Sequence, residues 1–290
     1  MKISLVLSGG GARGYAHIGV IEELKSYGFE IVSISGTSMG AVIGGVEACG
    51  ALNKYKEWVM SLDFLDIFKF YKPPFKLDGD KIFNKVKELA GEHKIENLPI
   101  KFTAVATDLT KKKEIWFQNG DLWTAVKASS AIPGFFEPIN INGRILVDGG
   151  VLNLMPVAPV MSDMSDIIIA VNLYGDNRIL DIKLPKEITK KQNLLEEVWK
   201  KIFSEKEDVV TQSINLMMET IFRYRRAEYT PDIEIKIPQN IAMWYDFHKA
   251  PELIEIGRIL AREALEDAQK QGIITLKKEK NAKNIHKKRS

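Results

Sequence analysis

A serine, Ser38, stands between Gly36 and Gly40 in the pattern G-x-S-x-G, directly after an apolar run at residues 31–34. The two glycines lack the Cβ atoms that would clash in a sharp turn from a strand into a helix. The hydroxyl would then stand clear of the backbone at a helix N-terminus, where developing negative charge is favoured. The spacing predicts a nucleophilic serine, although a turn of small residues packed between helix and sheet gives the same pattern.

A second glycine-rich segment, SGGGARG at residues 8–14, follows an apolar run at residues 3–7. Such a loop directs several backbone N–H groups at one point and binds an anion, either a phosphate or the oxyanion of a tetrahedral acyl intermediate. Its spacing also fits a dinucleotide-binding loop, but the second strand ends in Gly-Thr-Ser and offers no acid to hold a ribose. We therefore interpret the loop as an oxyanion hole for Ser38. Its candidate residues are Gly9, Gly10, Gly11, Arg13 and Gly14.

A third segment, Asp148-Gly149-Gly150, follows two alternating apolar stretches joined by Asn142-Gly143. An Asn-Gly pair in that position predicts a type I′ hairpin, which puts Asp148 at the end of a strand. The two glycines after it permit another segment to approach closely, so the carboxylate could act as a base. An aspartate that bonds its own turn is the commoner role for such a residue taken alone.

The usual base for a serine nucleophile is a histidine, and the chain has four. His248 would complete the order Ser, Asp, His of an α/β-hydrolase triad. That fold places several strands before its nucleophile, whereas about 35 residues leave room for one βα unit. His17 fits a packed or capping role, and His93 and His286 lie in strongly polar stretches.

Together the three segments resemble the patatin-like phospholipase family. The resemblance extends through residues 128–136, where ASSAIP is similar to the family's Ala-Ser-x-Ala-x-Pro segment, and covers about residues 3–175. Within the family, the chain is most similar to short bacterial proteins related to the esterase domain of neuropathy target esterase. The resemblance implies that Ser38 is the nucleophile, that Asp148 is the base of a Ser-Asp dyad, and that the glycine-rich loop is the oxyanion hole.

The elements that must position these residues alternate between strand and helix. Strands are predicted at residues 3–7, 31–35, 101–107, 114–118, 144–148, 167–173 and 231–237, and helices at 15–27, 38–50 and about 251–271. This alternation predicts a three-layer α/β/α fold with a mostly parallel, patatin-like central sheet. The early βαβα order brings the glycine-rich loop and Ser38 to one sheet edge, where ligands bind.

Charge and composition indicate one folded domain followed by a basic tail. We expect residues 1–276 to form one acyl hydrolase domain and residues 277–290, with seven Lys or Arg and one Glu, to form a disordered basic tail. Attraction of the tail to anionic lipid is the functional alternative. No aromatic residue interleaves with its charges to favour nucleic acid. A single cysteine excludes an intramolecular disulfide.

The start of the chain offers too short an apolar run for a signal peptide, and no run approaches the roughly 20 residues that span a bilayer. We therefore expect a cytoplasmic protein, with peripheral contact at the inner membrane face as a further option; its oligomeric state is left open.

Two segments suit contact with lipid. The first is aromatic, and its candidate residues are Phe64, Phe68, Phe70, Tyr71 and Phe75. The second is an apolar stripe at helical spacing over residues 209–222, which core packing explains as well. The residues and the resemblance together imply a serine acyl hydrolase that cleaves lipid esters and needs no metal or organic cofactor. The alternative is a weakly active or inactive adaptor of the same fold that binds an acyl lipid.

Overall fold

The computed structural model describes residues 1–62, 66–67, 69–72, 76–180 and 209–276. Its strands are β1 (Lys2–Leu7), β2 (Glu30–Thr37), β3 (Tyr71–Lys72), β4 (Lys76–Leu77), β5 (Lys101–Asp108), β6 (Lys113–Phe117), β7 (Ile139–Ile141), β8 (Arg144–Asp148), β9 (Ile167–Gly175) and β10 (Ile233–Pro238). Its α-helices are α1 (Ala16–Ser26), α2 (Met39–Ala48), α3 (Leu52–Ser61), α4 (Gly79–Ala90), α5 (Leu122–Ser129), α6 (Val209–Glu228) and α7 (Ala250–Lys270).

Over the described ranges the main sheet has eight strands, in the order β10-β9-β1-β2-β5-β8-β7, with β6 also paired to β5. The five strands from β10 to β5 run parallel, while β6, β7 and β8 are antiparallel additions at one side. Strands β3 and β4 form a separate two-stranded hairpin. The predicted α/β class with a mostly parallel sheet is confirmed.

Both faces of the sheet are covered, which explains the continuous apolar character of β1. Leu5 and Leu7 of this strand pack on one face with helices α1, α2 and α7, and Val6 packs on the other with Phe222 of α6. These three layers agree with the predicted architecture.

Helices α1 and α7 cross closely enough to require glycine on both. A Cβ on Gly19 would lie 1.8 Å from the Ile254 carbonyl oxygen, and one on Gly257 would lie 2.1 Å from the Ala16 carbonyl oxygen. The long closing helix therefore holds α1, and with it the loop that precedes α1, against the sheet. Within the described ranges, no helix combines the length and the apolar character needed to cross a bilayer. The basic tail at residues 277–290 lies outside the described residues.

Candidate active site

Ser38 occupies the turn between β2 and α2, with φ 55° and ψ −127°. Holding a residue other than glycine in such a sparsely populated backbone conformation costs on the order of 1–3 kcal/mol of folding free energy. The turn needs its glycines, because a Cβ on Gly36 would lie 2.4 Å from the Gly40 carbonyl oxygen and one on Gly40 would lie 2.1 Å from the Leu7 carbonyl oxygen. The sharp turn from strand to helix inferred from G-x-S-x-G is therefore present, and Ser38 lies just before the helix.

Two neighbouring serines hold the strained peptide of Ser38 from both sides. The Ser38 N–H donates to Oγ of Ser129 at 3.0 Å, and that Oγ donates in turn to the Val105 carbonyl oxygen at 2.6 Å. Oγ of Ser130 donates to the Ser38 carbonyl oxygen at 3.2 Å. We call Ser129 and Ser130 the serine clamp. Both side chains are buried, so these bonds are not exchanged for water.

Asp148 reaches Ser38 because of the register of β8. This strand pairs antiparallel with only the last three residues of β5, which sets Asp148 level with Ala106. On the other edge of β5, Val105 is level with Thr37, the residue before Ser38. The Asp148 N–H donates at 2.9 Å to the carbonyl oxygen of Ala131, directly after the serine clamp. One segment, residues 129–131, thus anchors both the serine and the aspartate.

The carboxyl of Asp148 is almost completely buried, with 3% of the residue exposed. Its Oδ1 accepts the Gly150 N–H at 2.7 Å, while its Oδ2 is buried without a partner in hydrogen-bonding geometry among the described residues. Burial raises the pKa of Asp148 to about 6, although the nearby Ser38 hydroxyl and the Gly150 N–H both favour the ionised form. The group is therefore mainly ionised at neutral pH and ready to take a proton.

Two backbone N–H groups of the glycine-rich loop are unpaired within the described part of the chain. The Gly9 N–H donates to the Leu154 carbonyl oxygen at 2.9 Å, and the Ala12 N–H donates to the Trp244 carbonyl oxygen at 2.7 Å. Between them, the N–H groups of Gly10 and Gly11 have no acceptor among the described residues. Of the five loop residues predicted to form an oxyanion hole, Gly10 and Gly11 thus have backbone N–H groups that could donate to a bound oxyanion.

Arg13 and Gly14 have other contacts. The Arg13 guanidinium lies 5.1 Å from the centre of the Tyr174 ring and donates to the Gln239 carbonyl oxygen at 3.2 Å. Gly14 lies under Met39, where a Cβ would come within 2.1 Å of the Met39 Cγ. Arg13 therefore contributes a cation to the wall of the site, and Gly14 permits close packing beside Ser38.

Two cavities meet at Ser38, and both are also lined by Gly11 and Ile132. The first, of about 100 Å³, is walled by apolar and aromatic side chains, and we call it the apolar cavity. The second, of about 380 Å³, is also lined by Asp148 and Arg13, and we call it the polar cleft. Ser38 is thus the junction between two chemically different spaces.

The histidines lie elsewhere. His248 lines a neighbouring cavity that shares Gln239, Asn240 and Met243 with the polar cleft, and in the described part of the chain no histidine lines either cavity at Ser38. The buried His17 donates its Nε2 hydrogen to the Ser8 carbonyl oxygen at 2.9 Å, and burial lowers its pKa to about 4. His93 bonds the Ala90 carbonyl oxygen, and His286 lies outside the described residues. This placement agrees with the packed role expected for His17.

The aromatic candidates for lipid contact can be placed only in part. Phe70 lines the apolar cavity, with its ring 6.0 Å from that of Trp58. Only the backbone of Tyr71 is described, in β3, and the remaining three candidates lie outside the described residues: Phe64, Phe68 and Phe75.

Several residues of the site carry no signal in the sequence. Tyr174, Glu219 and Trp244 line the polar cleft from distant positions, and no local pattern marks them. The serine clamp does carry a signal, because it lies in the ASSAIP motif, but nothing in the spacing of that motif indicates hydrogen bonds to the Ser38 peptide.

The serine clamp should hold Ser38 in the position that the reaction requires. Removing a hydroxyl leaves buried peptide groups of the turn unpaired and frees the strained backbone. We expect Ser130→Ala to lower kcat on a short-chain ester by about ten- to a hundredfold with little change in KM, since small misplacements of a reacting group carry penalties of that order. Ser130→Thr, which keeps a hydroxyl, should retain most activity.

The matched control for this prediction is Ser26→Ala, because the Ser26 hydroxyl also bonds a carbonyl oxygen, that of Glu23, but lies at the end of α1. A folded Ser130→Ala protein with the kcat of the parent would show that the clamp does not position Ser38.

Comparison with known proteins gives the class of protein. Residues 5–161 match the patatin-like phospholipase family, and the chain belongs to this family. An uncharacterized NTE family protein of Mycobacterium tuberculosis is 33% identical over 91% of this chain and 91% of its own length. The resemblance inferred from the motifs is confirmed.

More distant relatives are larger proteins. A lysophospholipase of Neurospora crassa is 27% identical over 97% of this chain, which matches 19% of that protein. A lysophospholipase of Yarrowia lipolytica is 29% identical over 60% of this chain and 14% of its own length. Among solved structures, VipD from Legionella pneumophila matches 92% of this chain and 67% of its own, at 15% identity and a TM-score of 0.47.

Proposed function

We propose that the protein is a serine acyl hydrolase that cleaves carboxylic esters of lipids through an acyl-enzyme on Ser38. The observation that carries the proposal is the buried carboxyl of Asp148 next to Ser38, beside the Gly10 and Gly11 N–H groups that have no acceptor among the described residues. A nucleophile, a base and two donors for an oxyanion are the parts that acyl transfer needs.

In the first half of the reaction, Oγ of Ser38 bonds to the ester carbonyl carbon while Asp148 takes the hydroxyl proton. The carbonyl oxygen becomes an oxyanion and accepts hydrogen bonds from the N–H groups of Gly10 and Gly11. The bond between the carbonyl carbon and the alcohol oxygen then breaks, and Asp148 returns the proton to that oxygen. The alcohol departs and the acyl group stays on Ser38.

In the second half, water replaces the alcohol. Asp148 takes a proton from the water as its oxygen bonds to the acyl carbon, and the bond from that carbon to Oγ of Ser38 breaks. The proton passes from Asp148 to Oγ, which restores the hydroxyl and releases a fatty acid. A carboxylate with a pKa of about 6 is well suited to this exchange, because a base is most effective when its pKa lies near the working pH.

The lipid nature of the substrate is supported by the apolar wall beside Ser38 and by the names of the fungal relatives. Flexible and aromatic apolar linings suit acyl chains. Lysophospholipids are therefore the first lipids to test.

The deciding experiment is labelling with a fluorophosphonate, followed by mapping of the adduct by mass spectrometry. We expect one adduct, on Ser38, in the parent protein and none in Ser38→Ala. Labelling should be paired with release of fatty acid from lysophospholipid and from a short-chain ester. A protein that binds lipid but neither forms the adduct nor releases acid would be an adaptor instead.

The pH dependence of the reaction follows from the raised pKa of Asp148. The base works only when ionised, so kcat/KM should rise about tenfold per pH unit below pH about 6 and level off above it. The measurement is a rate profile on a neutral short-chain ester, with circular dichroism at each pH to show that the protein stays folded. Activity that stays flat down to pH about 4 would contradict the role of Asp148.

A further inference from the structure

We propose that the acyl chain of the substrate occupies the apolar cavity, that the alcohol occupies the polar cleft, and that aromatic residues of α3 and α4 limit the length of the chain. This assignment rests on the proposed function and deepens it, because it states how one ester lies across two spaces. Its basis is the lining of the two cavities and the position of Asp148 between them.

The apolar cavity fits a hydrocarbon chain that begins at Ser38. Ser38 itself lines it, so a chain attached to Oγ can enter without crossing the cleft. Among the described residues, none that lines it carries a charge, and its polar side-chain groups are the hydroxyls of serine and tyrosine and the indole N–H of Trp58. Burial holds the pKa of Tyr15 and Tyr55 above the usual range, so both phenols stay neutral. Each methylene of the acyl chain that is buried in this cavity contributes favourably to the free energy of binding.

The polar cleft has charged and amide groups that suit an alcohol with polar substituents, beside apolar side chains such as Leu154 and Met218. Arg13, Asp148 and Glu219 line it, together with the amide side chains of Asn177 and Asn240. Packing methylenes there would remove water from charged groups without giving them partners. A glycerol or a headgroup can instead bond to these side chains.

The chemistry of the reaction requires the same orientation. Asp148 lines the polar cleft and is not among the residues that line the apolar cavity. Because Asp148 must return its proton to the departing alcohol oxygen, that oxygen has to lie on the cleft side of the acyl carbon. Water must then reach the same side. The acyl chain is left with the other side of Ser38, which is the apolar cavity.

The part of the wall formed by α3 and α4 is aromatic and packed edge to face. Tyr55 and Trp58 of α3 have ring centres 5.6 Å apart, and Trp58 lies 6.0 Å from Phe70. Phe83 of α4 lines the same cavity and is buried. Interlocked rings do not yield to extra methylenes, because packed interiors have little free space. We infer that this wall sets the longest chain accepted.

The test compares kcat/KM for butyryl, octanoyl and dodecanoyl esters of one alcohol across a graded series, Trp58→Phe and Trp58→Leu, with Phe83→Leu as a second site. Enlarging the cavity should raise the ratio of the dodecanoyl to the butyryl value by about tenfold, since pocket space for a methylene changes specificity by that order. Trp116→Leu is the matched control, because Trp116 lies 41% exposed on β6 and lines neither cavity. It should leave the ratio unchanged.

A further variant, Met243→Ala, enlarges the polar cleft instead. The assignment would be overturned if the ratio of the dodecanoyl to the butyryl kcat/KM changed in Met243→Ala but in none of the Trp58 and Phe83 variants. That result would place the acyl chain in the polar cleft. Failure of the proposed function looks different, because a protein without fluorophosphonate labelling at Ser38 would show no chain-length profile at all. A labelled, active protein whose profile ignores Trp58 and Phe83 would refute only the assignment of the cavities.

Discussion

Replacement of Asp148 by Asn should reduce kcat on a short-chain ester by a factor on the order of a thousand or more, and should stabilise the fold at the same time. The loss of rate follows from the loss of the base, because an amide cannot take the Ser38 proton and removal of one member of a catalytic pair has effects of this size. Ser38→Ala should lose activity to a similar degree, and the double variant should lose little more.

The gain in stability follows from the raised pKa of Asp148, which burial moves from 3.8 to about 6. The folded state binds this proton more tightly than the unfolded state, so ionisation costs stability. The cost is absent below pH about 3.8, grows between the two values, and is complete above pH about 6, where it amounts to about 3 kcal/mol. Asn carries no charge and can keep the acceptor for the Gly150 N–H. Asp148→Asn should therefore melt above the parent at pH 8, with the difference vanishing near pH 4.

The control for the dyad is His248→Ala. His248 lines a cavity that Ser38 does not share, so this variant should keep the kcat of the parent. Loss of activity in a folded His248→Ala protein, or retention of activity in Asp148→Asn, would refute the Ser-Asp dyad and favour a triad.

The sequence was sufficient where the local pattern decides the structure. The turn at Ser38 follows from two glycines that leave no room for a Cβ. The hairpin before Asp148 follows from Asn142 and Gly143, which adopt φ values of 51° and 76° as a type I′ turn requires. In both cases the residues that permit the turn lie within it, which is why the pattern is visible in the sequence.

The sequence was insufficient where distant segments meet. That Asp148 lies beside Ser38 depends on β8 pairing with the last three residues of β5, and no local pattern encodes this register. The residues of the apolar stripe on α6 likewise have different surroundings. Met218 lines the cleft, Phe222 is buried, and Met217 is 57% exposed. Helical spacing identifies such a face but does not say what covers each part of it.

The shape of the glycine-rich loop also depends on a distant segment, so a substitution in the loop should have a large effect on the rate. Gly11 has φ 58°, and a Cβ there would lie 2.3 Å from the carbonyl oxygen of Trp244. That same oxygen accepts the N–H of Ala12. Gly11→Ala would therefore displace either the loop or residue 244, and with it the direction of the Gly10 and Gly11 N–H groups.

We expect Gly11→Ala to lower kcat/KM by about a hundred- to a thousandfold, which is the usual loss for one oxyanion donor. The matched control is Gly28→Ala, because Gly28 has φ 76° with no atom within 4 Å of its Cβ position. Both variants carry the strain of a left-handed alanine, on the order of 1–2 kcal/mol, so both should lose some thermal stability. Only Gly11→Ala should also show the fall in kcat/KM.

Gly10→Ala provides a second variant of the loop, since its Cβ would meet the side chain of Leu173 at 2.7 Å rather than a carbonyl oxygen. The Gly10 N–H is the other donor without an acceptor among the described residues, so kcat/KM of Gly10→Ala should fall as well. The measurement is kcat/KM on a short-chain ester together with the melting temperature of each variant. If folded Gly10→Ala and Gly11→Ala proteins hydrolyse the ester as fast as Gly28→Ala, the loop does not stabilise the oxyanion. The donors must then be sought elsewhere, first at the N-terminus of α2 directly after Ser38, where the start of a helix offers backbone N–H groups to an anion.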